Sequence, residues 1–190
     1  MFKTYVFLDF ETTGLFEPSV TEFCALAIDR VYPERIRNKL VMCCAPSKPI
    51  EPRAAQLTSI ENEMVVGKID FKKEGIALLI LFLQALPAPI CMLSHNGDNF
   101  DFKIFSEATK DMRVNLDICL IDTLPLFQEI DRKKEGRSYP LNNLTSVRER
   151  LFGVDLDVKA HGAEVDCETL VKCFLKLECI EYIEATFELT

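Results

Sequence analysis

Thr4-Tyr-Val-Phe-Leu-Asp-Phe10, followed at once by Glu11-Thr-Thr-Gly-Leu15, is an apolar strand that ends in acid. Its first seven residues are aromatic and β-branched, as expected of a strand buried on both faces. Asp9 and Glu11 stand two apart, and strand side chains alternate, so both project from one face. Apolar Leu8 and Phe10 flank Asp9 and place it where a core strand ends. Two carboxylates there repel each other unless a cation sits between them, and magnesium suits hard oxygen ligands. A strand that simply exits into solvent would show the same pair. Gly14 adds a second signal, because glycine permits a sharp turn and leaves backbone close to whatever the carboxylates hold.

Working outward, residues 22–31 and 37–44 read as the second and third strands, and the three prolines of 46–52 require extended or turning chain. Short helical pieces are expected over 53–66 and a helix over 70–86, whose apolar run at 76–83 reads as buried. A strand follows at 89–94, a helix at 99–110 and a fifth strand at 117–122. Residues 131–138 contain no apolar side chain before Tyr139 and read as a solvated loop. Apolar residues recur at helical spacing over 141–152 and 163–183. Three strands followed by alternating helices and strands indicate an α/β fold, a mixed five-stranded sheet flanked by helices. No repeat or linker interrupts residues 1–190, which read as a single domain.

The chain carries 48% hydrophobic and 27% charged residues, and its net charge of −8 argues against a protein that coats nucleic acid by electrostatics alone. An enzyme that gathers carboxylates around metal ions is acidic by construction, and the bound cations reverse the local field. No apolar stretch approaches the roughly 20 residues of a membrane span. The N-terminus has no secretory pattern, so an intracellular protein is expected. Eight cysteines include no Cys-x-x-Cys pair, and most lie in apolar segments, which points to buried thiols rather than zinc ligands or disulfides.

Two further clusters carry chemistry. His95-Asn-Gly-Asp-Asn-Phe-Asp101 follows the fourth strand and opens a helix, bringing acids near orphan amide groups. Asp98 suits a helix cap. Asp101, one turn on and beside Phe102 and Phe105, suits an inward-facing ligand, and His95 suits a structural hydrogen bond. In His161-Gly-Ala-Glu-Val-Asp166, the histidine falls on a loop and the aspartate at the start of the last amphipathic helix. A surface histidine beside a capping acid would look the same in isolation.

Taken in order, Asp9, Glu11, Asp101, His161 and Asp166 resemble the residue set of the DnaQ-like, proofreading-type exonuclease superfamily with a histidine as its fifth member. Within it, the chain most resembles the three-prime repair exonucleases. Leu8-Asp-Phe-Glu-Thr-Thr-Gly-Leu15, Leu93-Ser-His-Asn-Gly-Asp-Asn-Phe-Asp-Phe102, Asp122-Thr-Leu-Pro125, Ser138-Tyr-Pro-Leu141 and His161-Gly-Ala-Glu-Val-Asp166 carry the likeness across nearly the whole chain.

The resemblance implies a ribonuclease-H-like fold and three-prime to five-prime hydrolysis of DNA, single-stranded and also double-stranded. It implies that Asp9, Glu11, Asp101 and Asp166 hold two Mg2+ ions, with Mn2+ as a substitute, at the separation of about 4 Å that stabilises both attacking and leaving oxygens. It makes His161 the base that deprotonates the attacking water, a task suited to an imidazole, which titrates near neutral pH. It implies Thr12 and Leu15 near the terminal nucleotide, Leu57 as an apolar wedge, Phe100 beside the scissile phosphate and Tyr139 lining the site. Arg137 closes the short segment Arg132-Lys-Lys-Glu-Gly-Arg137, which stands where relatives contact duplex DNA. A homodimer through the third strand is also implied, with no membrane partner. An RNA-directed enzyme using the same five residues, a non-catalytic nucleic-acid-binding module and a protein-interaction domain remain alternatives.

Overall fold

The computed structural model describes residues 1–136, 143–154 and 161–187. Five strands, β1 Thr4–Thr12, β2 Val20–Asp29, β3 Arg37–Cys43, β4 Ile90–Ser94 and β5 Ile118–Asp122, form one sheet in the order β3-β2-β1-β4-β5. β1 pairs antiparallel with β2, and β2 with β3, through short connections; β4 runs parallel to β1, and β5 to β4. The parallel pairs require crossovers, which helices supply. The helices are α1 Pro52–Thr58, α2 Ile76–Gln84, α3 Asp101–Thr109, α4 Thr123–Glu135, α5 Leu144–Phe152, α6 Ala163–Lys176 and α7 Cys179–Phe187. The mixed five-stranded sheet with flanking helices expected from the sequence is therefore present.

The alternation of β1 divides the core into two layers. Tyr5 and Phe7 pack with Cys24, Leu26, Ile28, Phe127, Val147, Leu170 and Phe174, the layer of α4 to α7. Val6, Leu8 and Phe10 pack with Phe23, Ala25, Phe71, Leu79 and Leu83 on the α2 side. Phe174 sits on both first-layer aromatics, its ring centroid 5.5 Å from Tyr5 and 5.1 Å from Phe7. Continuing the stripe of Tyr5 and Phe7 by steps of two brings Asp9 and Glu11 to the face covered by α6. Cys167 is the small residue that lets α6 settle there, its Sγ lying 3.4 Å from the Phe7 carbonyl oxygen and 3.5 Å from that of Cys24.

Three local expectations are corrected. The charged stretch from residue 131 is helical as far as Glu135, because α4 buries Asp131 and pairs it with Arg150 of α5 at 2.6 and 2.7 Å. The helix expected over 70–86 begins as a wider π turn at Phe71–Gly75, and its apolar run buries only Ile76, Leu79, Ile80 and Leu83, leaving Leu81 61% exposed. The last amphipathic segment breaks into α6 and α7 at Glu178, which takes φ +59°. β1 runs through Thr12, so Asp9 and Glu11 both lie within the strand, as the period-two reading requires.

Candidate active site

The edge of β1 supplies the first two groups. Asp9 and Glu11 are both half-buried on the α6 face of the strand. Asp166, in the first turn of α6, completes a cluster in which one carboxylate oxygen from each residue lies within 4.8 Å of the others. Asp101 stands apart from that trio. Its oxygens are already engaged, Oδ1 accepting from the Phe10 backbone N–H at 3.0 Å and Oδ2 from the Ser94 hydroxyl at 2.7 Å. It is nonetheless buried, and it shares a cleft of about 480 Å³ with Asp9, Leu15, His95, Asn99 and Phe100.

Electrostatics report the crowding. Burial, then the charges of Asp101, Asp166 and Glu11, hold the Asp9 carboxyl well above the usual carboxylate range. Burial, with Asp166, Glu22 and Asp101, pushes Glu11 up to about 8. Burial raises Asp101 to about 6 against the pull of its Ser94 and Phe10 hydrogen bonds. Asp166 is raised by burial too, a rise opposed by the charge and backbone N–H of His161 and by Arg148. Several acids that resist losing their protons together form a set that a cation would stabilise in its charged state. Clustered hard oxygens of this kind fit a divalent cation of the magnesium type.

A second cleft, of about 470 Å³, opens on the other side of Leu15. Glu11, Thr12, Leu15, Leu57, Phe100 and His161 line it together, so the structure gathers four substrate-contact candidates and the candidate base around one opening. Leu15 is 86% exposed and Leu57 46%, which presents an apolar mouth above the carboxylates. Thr12 is buried, its hydroxyl donating to the Gly14 carbonyl oxygen at 3.0 Å, so its side chain shapes the turn. His161 is exposed, with φ +69°. Tyr139 and Arg137 lie outside the described residues. A larger cleft, about 560 Å³ between residues 17–20 and α3, contains none of these carboxylates. Pocket size alone would point there, but the chemistry does not.

Asp122, quoted from the sequence only as part of Asp122-Thr-Leu-Pro125 and without a role, supports the site from behind, together with the residues around it. Asp122 accepts backbone N–H bonds from Asn96 at 2.9 Å, Asp98 at 3.2 Å and Leu124 at 2.8 Å, and so pins the loop that delivers Asp101. Asp98 itself is exposed. His95 Nδ1 lies 3.1 Å from the Thr123 hydroxyl, and burial lowers its pKa to about 4. That keeps it neutral beside the cleft. Gly14 takes φ +153°, which L side chains rarely adopt, and a Cβ there would also displace the Glu51 carboxylate, 2.3 Å away. The available signal for Asp122 was an acid ending an apolar strand just before a helix.

A fold of this kind with a carboxylate cluster at the edge of its central strand defines a metal-assisted nucleic-acid hydrolase, and residues 6–174 match the exonuclease family. Three prime repair exonuclease 2 of Mus musculus is 31% identical over 199 residues, covering 91% of this chain and 83% of its own. Three-prime repair exonuclease 1 of Bos taurus is 34% identical over 195 residues, covering 89% of this chain and 62% of its own. The chain thus belongs to the exonuclease family, within its three-prime repair branch, and is a three-prime to five-prime exonuclease. Among solved structures, exonuclease I superimposes with a TM-score of 0.77 at 18% identity, covering 96% of this chain and 43% of that one, and shows the same ribonuclease-H-like fold. The chain spans less than half of exonuclease I.

Proposed function

We propose that the protein removes nucleoside monophosphates from three-prime ends of DNA, single strands above all, with two divalent ions held by Asp9, Glu11, Asp101 and Asp166. The observation that carries this reading is the convergence of acids from β1 and α6 on one point, beside a cleft that also presents His161. Bound there, Mg2+ or Mn2+ would supply charge stabilisation to the attacking and leaving oxygens. Asp9 lies with Glu11 and Asp166 in one cluster and with Asp101 in one cleft, so it would help to hold the ions from both sides. His161 accepts the proton of the attacking water from the exposed rim. Leu15, Leu57 and Phe100 hold the terminal nucleotide by apolar contact, which needs no base edge and is indifferent to sequence.

Preference for single strands is supported by the ion pairs of α4. Arg132 and Lys133 pair with Glu129 at 2.7 and 3.6 Å, and Lys134 with Glu178 at 2.5 Å, so neighbouring carboxylates lower the net positive charge that this exposed segment offers to a second strand. A homodimer through β3 is supported by that strand's place at the sheet edge, where Leu40, Val41 and Met42 are half-buried. An unpaired edge of this type is a template for a second chain. An intracellular setting is supported by eight free cysteines, most of them buried.

The test is a gel assay on end-labelled single-stranded DNA, duplex DNA and RNA, with Mg2+ and with chelator. Stepwise shortening of DNA from the three-prime end only with metal is the expected result, and faster loss of RNA would transfer the assignment to an RNA-trimming enzyme. His161→Ala should keep metal and DNA binding while kcat falls about 10²–10⁴-fold. Wild-type turnover in that variant would remove His161 from the mechanism.

A further inference from the structure

We propose that Glu22 is a positioning residue for this site, holding the start of α6 in place and through it Asp166 and His161; the inference rests on the functional reading above. Glu22 belongs to β2, on the same face as Cys24, Leu26 and Ile28, and pairs directly across the strands with Glu11. Directly opposed like charges on neighbouring strands are unfavourable. A carboxylate in that position needs a compensating partner.

The partner is the N-terminus of α6. Gly162, the residue preceding the helix, has no side chain to cap it, and Glu22 Oε2 instead accepts the Ala163 N–H at 2.8 Å. An acid from a distant strand therefore does the work that Ser, Thr, Asp or Asn would do locally. The cap lies three residues before Asp166, whose own N–H bonds the Gly162 carbonyl oxygen at 2.9 Å. The Asp166 carboxylate also accepts the His161 backbone N–H, so the ligand, the candidate base and the capped turn form one unit. Glu22 Oε1 faces Cys43 of β3, whose thiol lies 3.8 Å away, which braces the side chain from the other flank. Gly162 offers no side chain to cap the helix, so the acceptor for Ala163 comes from β2 rather than from the local sequence.

The discriminating pair is Glu22→Gln, which keeps an oxygen acceptor for Ala163, and Glu22→Ala, which removes it. Three readouts are Mn2+ binding by calorimetry without DNA, amide exchange of the first turn of α6, and kcat and KM on a single-stranded oligomer. E22A should weaken Mn2+ binding and lower kcat by about tenfold or more, as loss of a supporting partner does at metal sites. Exchange at the start of α6 should quicken while KM stays near wild type. E22Q should restore all three to within about threefold. Wild-type Mn2+ binding and exchange in E22A would overturn the proposal, as would equal loss in both variants. A wild-type protein that binds Mn2+ but degrades no DNA would count against the functional reading and leave the Glu22 test intact.

Discussion

Glu11 holds its proton to about pH 8 because burial and three other acids oppose its ionisation, against an ordinary value of 4.5. A carboxyl whose folded pKa is raised binds its proton more tightly folded than unfolded. Folding is favoured below the unfolded value, and that advantage is lost as pH climbs through the folded one. Asp9 and Asp101 shift in the same direction. Metal-free protein should therefore lose Tm as pH rises from about 5 to about 8, and Mg2+ should raise Tm more at the upper end than at the lower. Scanning fluorimetry in chelator and in Mg2+ across that range checks both. A metal-free Tm that rises with pH would mean that the acids are not compressed together. For Asp9→Asn, which removes a carboxylate common to the cluster and the Asp101 cleft, calorimetry should show metal affinity falling about tenfold or more. Unchanged affinity would move the ion elsewhere.

Elements were legible in proportion to how local their causes are. β1, β2 and β4 were readable because apolar runs of strand length are bounded by turns, and Asp9 with Glu11 followed from a period of two. Asp101 was preferred over Asp98 because Phe102 and Phe105 beside it mark the inward side, and the structure buries Asp101 while leaving Asp98 exposed. The end of α4 was not readable, because its stability lies in a partner on α5 that the charged stretch does not reveal. Glu22 was missed, and the role of Asp122 was not read from its motif, for the same reason, as each serves backbone groups far away in sequence. The α4 pair gives a direct test. Asp131 is 3% exposed and grips Arg150, so Asp131→Ala leaves a largely buried guanidinium without that partner. Urea unfolding should show a loss of about 3 kcal/mol, typical of a broken buried ion pair. A loss near zero would restore the reading of this stretch as surface.

At the scale of the whole molecule, β3 and β5 are the two edges of the sheet, and the proposed second copy uses the β3 edge, where Leu40, Val41 and Met42 are half-buried. Sedimentation velocity should give twice the 21.7 kDa chain mass at micromolar concentration. Sedimentation as a single chain would remove β3 as an interface. Lys39 of the same strand reaches Glu164 at 2.5 Å and Glu168 at 3.1 Å on α6, so partner pairing at this flank would press on the helix that carries Asp166.

Because β1 is paired with β2 along its length and with β4 over Thr4–Phe7, Asp9 and Glu11 extend directly from the part of the protein that should be last to melt. His161 sits on an exposed turn outside any strand or helix. Gentle warming should therefore erode the proton acceptor before it scatters the ion-binding oxygens, leaving a form that still takes up manganese after it has stopped cutting.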